Sequence, residues 1–151
     1  MSTVTIGSGH RLDALHPLVA AGIGAAMFAA TMVAGDLFDL NADEEANPGL
    51  TELAIYAGLV LVAVAIALWL GSRARAGAPS RLSGTALGLS LAGAVTFIGF
   101  WSGWPHVFSA VAVALALEYR RRVGAFSGPT ATALVLGAVA FVATSVICLF
   151  G

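Results

Sequence analysis

The chain has 151 residues, of which 59% are hydrophobic and 10% charged, with a formal net charge of -1 and a mean hydropathy of +0.94. A water-soluble domain carries about a quarter charged residues, so this composition excludes one and makes the lipid bilayer the solvent. It argues against nucleic acid as a partner, and it leaves room for about five spans of roughly 20 residues and no second domain.

The first predicted span covers residues 17–35 and starts at Pro17, whose missing N–H would lack an intrahelical partner in any case. Asp13 and His16 mark its watery side. Arg11 ahead of an apolar run, with Val33-Ala34-Gly35 behind it, has the outline of a secretory signal, and cleavage would leave four spans. The run is long for a signal and Asp13 accompanies the arginine, so an uncleaved span is expected. An acidic connection, residues 36–52, follows.

The second span, residues 53–70, comes after the helix breaker Asn47-Pro48-Gly49, with Asn47 or Thr51 as its cap and Trp69 at the far interface. The third, residues 82–101, is introduced by Ala78-Pro79-Ser80. It emerges at Phe100, Trp101 and Trp104, which flank Ser102-Gly103 and are expected to set aromatic rings at headgroup level around a tight hairpin. The fourth, residues 105–119, is short: about 22 Å of helix against a hydrocarbon core near 30 Å. Trp104, the stems of Glu118 and Arg120, or local thinning of the bilayer are expected to extend its reach. The fifth, residues 129–150, starts at Gly128-Pro129.

Basic residues fall in alternate gaps. Arg11 precedes the first span, Arg73, Arg75 and Arg81 lie between the second and third, and Arg120, Arg121 and Arg122 lie between the fourth and fifth. There is no lysine. Because cytoplasmic connections retain Lys and Arg, the pattern predicts an all-α integral membrane protein, a single bundle of about five transmembrane helices with the N-terminus cytoplasmic and the C-terminus outside. The expected location is the plasma membrane, as a multi-pass protein. The bias to Ala, Gly, Val and Arg suggests a GC-rich bacterial source. No internal repeat links the two halves.

The residues that carry chemistry are few. In the acidic connection Asp39, Asn41, Asp43, Glu45 and Asn47 place oxygen side chains at every second position, as in the first half of a calcium loop. Glu44 then stands where that loop needs glycine and Leu50 where it needs a bidentate glutamate, so a solvated acidic loop is the expected reading, with metal binding by Asp39, Asn41, Asp43 and Glu45 the sharper alternative. His10 and His16 belong to one end of the first span and His106 to the opposite end of the fourth, so they share no metal and are read as interfacial polar residues. Cys148 has no partner for an intramolecular disulfide and is expected to pack as a small apolar side chain.

No ionisable group falls in the middle of a span, which argues against proton coupling through this chain alone. Glu118 is expected to pair with Arg121 or Arg122 along its own helix. The hydroxyls at depth, Thr31, Ser90, Thr96, Ser109 and Thr144, suit back-bonding and helix packing. Small residues form the clearest pattern: Gly22, Ala26, Ala30 and Ala34 on the first span, Gly84, Gly88 and Ala92 on the third, with weaker versions at Gly99 to Gly103 and Ala133 to Gly137. Such stripes permit close helix contact, and contact within the chain is the expected use. Two groups of three arginines fall short of the four to eight basic residues that mark specific lipid recognition, and their topological role accounts for them.

No catalytic or cofactor motif is found, and no cofactor or catalytic residue is assigned. The expected function is an accessory, assembly or scaffold subunit in contact with the lipid bilayer, with another membrane protein, or with a second copy of itself. The alternative is a small channel or carrier that oligomerises, with Thr and Ser faces lining a path between protomers. More remote is a haem- or metal-dependent redox protein using His16 or His106.

Overall fold

Local signals set the helix ends. In the structure, a computed structural model that describes residues 15–38 and 50–150, α1 spans Pro17–Leu37 and is opened by His16, whose Nδ1 accepts the Leu18 N–H at 3.2 Å. The second helix, α2, covers Leu50–Arg75, with Glu52 in its first turn and Arg73 and Arg75 in its last, each sign matching the helix dipole. Helix α3, Pro79–Val95, starts on a proline and passes into a 3₁₀ segment, Thr96–Ser102, bent at Gly99. Gly103 then turns the chain with φ 71°, where a Cβ would lie 2.6 Å from Val60 and 2.9 Å from Phe28, so only glycine fits. Helix α4, Trp104–Val123, closes on Gly124 at φ 85°, whose N–H reaches the Arg120 carbonyl at 2.7 Å. The last helix, α5, is Gly128–Phe150. Its start is a reciprocal cap: the Ser127 N–H donates to Thr130 Oγ1 at 2.8 Å and the Thr130 N–H to Ser127 Oγ at 3.4 Å, while Ser83 Oγ of α3 meets Ser127 Oγ at 3.2 Å. Among the described residues there is no strand.

Among the described residues four stretches are long and apolar enough to cross a membrane: Pro17–Gly35, Thr51–Arg75, Pro79–Ser102 and Gly128–Phe150. Helix α4 differs because Glu118, Arg120 and Arg121 lie inside it, yet it is the centre of the molecule. Helices α1, α2, α3 and α5 follow one another around α4 in that order, and each of them packs on it. Val107, Val111, Ala112, Leu115 and Ala116 of α4 are fully buried, whereas α2 turns Leu61, Val62, Ile66 and Trp69 outward. The helix runs to Val123 and its 20 residues give about 30 Å; the apolar part expected as the fourth span, residues 105–119, is largely covered by the surrounding helices, and the exposed residues 120–123 extend the helix beyond it. Its modest hydropathy reflects contact with neighbouring helices in place of lipid.

Close approach to α4 rests on one glycine from each of α1, α3 and α5, and a fourth glycine, on α2, lets that helix meet α1. A Cβ on Gly24 of α1 would lie 2.7 Å from the His106 carbonyl oxygen and 2.8 Å from Val107 Cα. On Gly93 of α3 it would meet Ser109 Oγ at 2.7 Å, and on Gly137 of α5 it would meet Val113 Cγ2 at 3.2 Å. On Gly71 of α2 it would lie 2.9 Å from Pro17 and 3.4 Å from Val111. Short backbone separations at Gly24, Gly93 and Gly137 supply dispersion contacts of the kind that hold helices together in lipid.

The stripes singled out by their spacing behave otherwise. Gly22, Ala26 and Ala30 are exposed, as are Gly84 and Gly88, and a Cβ on Gly22, Gly84 or Gly88 would meet nothing within 4 Å. Ala92 alone of that set packs, half-buried, against the core. The expectation of close contact within the chain is therefore corrected for Gly22, Ala26, Ala30, Gly84 and Gly88. Gly24 is two residues from Gly22, hence on the opposite face of α1, and that face is the one α4 occupies.

Candidate functional site

The polar side chains of the central helix fall at its two ends. His106, in the first turn of α4, is fully buried. Its ring lies between Phe28 of α1, with centroids 5.7 Å apart, and Phe141 of α5, edge-on at 5.4 Å. Nε2 is 3.1 Å from Ser145 Oγ, and that hydroxyl is 2.8 Å from the Phe141 carbonyl. Ser145 has one proton, and a carbonyl oxygen can only accept it. The imidazole Nε2 therefore carries the ring proton and donates, which leaves a bare lone pair on Nδ1. Nδ1 has no hydrogen-bond partner. The expected interfacial role of His106 is thus overturned: the first turn of α4 is enclosed by α1 and α5, and the imidazole is an interior group.

Trp104 is corrected in the same way. It packs edge-on against Phe108 at 5.5 Å, and its Nε1 donates to the Leu59 carbonyl of α2 at 2.9 Å, so it pins the hairpin to the bundle. Trp101, 47% exposed, keeps the character of an interface residue.

Glu118 marks the other end, 1% exposed and facing three arginines. Arg122 Nε donates to Oε1 at 2.8 Å, and Arg121 Nη2 stands 3.0 Å from Oε2, close but out of line for a hydrogen bond. Arg75 of α2 approaches Oε1 at 3.7 Å, and Arg122 Nη1 donates to the Arg75 carbonyl at 3.0 Å. Both partners expected from helical spacing are present. Arg75 joins them because α2 and α4 end side by side, which no local spacing reveals. Among the described residues, three arginines face this one carboxylate.

His106 and Glu118 are twelve residues apart, about 18 Å along the helix. Apart from Ser109 the interval is apolar, mostly buried Val, Ala and Leu, so among the described residues no continuous polar track joins them. Ser109 is fully buried in that interval, and its Oγ has no hydrogen-bond partner. The other deep hydroxyls are satisfied by their own helices. Thr31 Oγ1 reaches the Phe28 carbonyl at 2.9 Å, Ser90 Oγ that of Leu87 at 2.8 Å, Thr96 Oγ1 that of Ala92 at 2.7 Å and Thr144 Oγ1 that of Ala140 at 2.7 Å. Thr31, Ser90 and Thr144 face the interior, and so does Cys148, 3% exposed.

The calcium-like positions Asp39, Asn41, Asp43 and Glu45 lie outside the described residues, as do Asp13 and His10. Among the described residues no three His, Cys, Asp or Glu side chains come together as a metal site. Sequence reasoning missed Ser145, Phe28 and Phe141 as the surroundings of His106, since they come from distant helices and carry no motif. The chain matches no protein-family model, no curated protein and no solved structure.

Proposed function

We propose that the chain is a multi-pass plasma-membrane protein with five spans, N-terminus cytoplasmic, that serves as an accessory, assembly or scaffold subunit without a catalytic site of its own. The orientation is supported by the gathering of Arg73, Arg75, Arg81, Arg120, Arg121 and Arg122 at one end of the bundle, opposite Trp101. One observation carries the functional reading. The small-residue stripes of α1 and α3 point away from the bundle, while other glycines make the internal crossings. A helix that meets only lipid has no need of such a stripe, whereas one that packs on a partner helix gains from it. The inward, self-bonded hydroxyls and the filled core weigh against a conducting path.

The test is mild detergent extraction of natively expressed, tagged protein, with native mass determination of the wild type, Ala26→Leu and Gly88→Leu. The proposal expects a stoichiometric membrane partner with the wild type and its loss with at least one variant whose helicity and melting are unchanged. A homogeneous homo-oligomer insensitive to both substitutions, conducting in liposomes, would replace this reading with a channel or carrier.

A further inference from the structure

The ring around α4 has a gap. Nearly all of α4 between Pro105 and Glu118 is buried, but Ala110, Val113 and Leu117 are half-exposed, and their spacing of three and four residues places them on one stripe. That stripe is the floor of a crevice of about 340 Å³ between α1 and α5, walled by Leu15, Ala20 and Ile23 on one side and Ala138, Phe141 and Val142 on the other. Alanines at 20, 110, 114 and 138 make the hollow. Its lining is almost wholly apolar, so a flexible hydrocarbon suits it better than a polar solute.

The crevice has a direction. From Leu117 it climbs to Ala110 and from Leu15 to Ile23, so it begins about one turn from Arg120 and Arg121 and rises about 10–12 Å, most of the roughly 15 Å of one hydrocarbon leaflet. Continuing the floor stripe past Leu117 by three and four residues leads to Arg120 and Arg121. Arg121 has a side chain 53% exposed even while it faces Glu118, and a guanidinium has five N–H donors, enough to hold a carboxylate and a phosphate together. Arg120, one turn beyond Leu117, lies over Phe126, its charge centre 5.2 Å from the ring.

We propose that this crevice binds one anionic glycerophospholipid from the leaflet at the arginine end, with an acyl chain along Ala110, Val113 and Leu117 and the headgroup phosphate at Arg120 and Arg121. The site is independent of the assembly reading and needs no protein partner. Charge complementarity selects the anionic headgroup, and the apolar floor of about 10–12 Å selects a lipid over a free anion.

The test uses delipidated, detergent-solubilised full chain titrated with phosphatidylglycerol, phosphatidylcholine of the same acyl chains, or glycerol 3-phosphate, read by native mass spectrometry and thermal unfolding. Retention of one phosphatidylglycerol about fivefold or more over phosphatidylcholine is expected, since each basic residue near the surface contributes about that factor. Arg121→Gln should erase most of the preference. Ala138→Phe, at an exposed position where the larger side chain costs little in folding, should reduce retention of both lipids. Equal retention of the two lipids by the wild type would overturn the proposal. So would stabilisation by glycerol 3-phosphate equal to that by the lipid, which would mean an anion site without a chain. A dimer that Ala138→Phe dissociates, with no bound lipid, would assign the crevice to a second copy and overturn it too.

Discussion

The contact between Gly93 and Ser109 gives a sharp test of how α3 and α4 are held together. Replacing Gly93 with Ala puts a carbon 2.7 Å from Ser109 Oγ, where nonbonded heavy atoms prefer about 3.5–4.0 Å. The Ser109 backbone N at 3.4 Å and the Pro105 carbonyl at 3.5 Å leave little room to slide sideways. Overpacking of this kind costs about 1–3 kcal/mol, offset by about 0.8–1.0 kcal/mol from the higher helix propensity of Ala, so Gly93→Ala is expected to destabilise by about 1 kcal/mol. Ser109→Ala removes a buried hydroxyl that has no partner and is expected to be neutral or to stabilise by about 1 kcal/mol. In the double variant the methyl introduced by Gly93→Ala takes the space of the lost oxygen, so the clash disappears and the helix gain remains. The cycle should show a favourable coupling of about 1–2 kcal/mol. Reversible unfolding in mixed micelles, followed by tryptophan fluorescence, measures all four corners. Additivity within about 0.5 kcal/mol would refute the packing argument, and strong destabilisation by Ser109→Ala alone would mean that the hydroxyl is hydrogen-bonded.

Three further outcomes are expected. Gly24→Ala and Gly22→Ala should diverge although they are two residues apart: the first drives a methyl into α4 backbone and costs about 2–3 kcal/mol, the second meets nothing and is neutral or slightly stabilising, as read from melting temperatures. Glu118→Gln removes the carboxylate that Arg75, Arg121 and Arg122 face and should cost about 1–3 kcal/mol, less than a fully buried pair because Arg121 and Arg122 keep solvent contact; the loss, read from the same unfolding curves, should shrink in the Arg75→Gln background. Trp104→Phe removes the hydrogen bond to the Leu59 carbonyl and should cost about 1 kcal/mol, with faster hydrogen exchange in the 3₁₀ segment and the first turn of α4.

Depth was legible in the chain alone. Pro17 and Gly128-Pro129 mark helix starts that the structure also has, while α3 starts at Pro79, three residues before the expected 82; Arg73, Arg75, Arg81, Arg120, Arg121 and Arg122 sit at the end of the bundle opposite Trp101 because water and hydrocarbon differ enough for composition to record the boundary. Spacing along one helix also sufficed for Glu118 with Arg121 and Arg122. Radial position was not legible. Lipid tails and a protein interior are equally apolar, so hydropathy does not separate an outward face from an inward one, and only tertiary packing decided that α4 is central, that Gly24 and Gly93 face it while Gly22 and Gly88 turn away, and that His106 leaves the interface for the core.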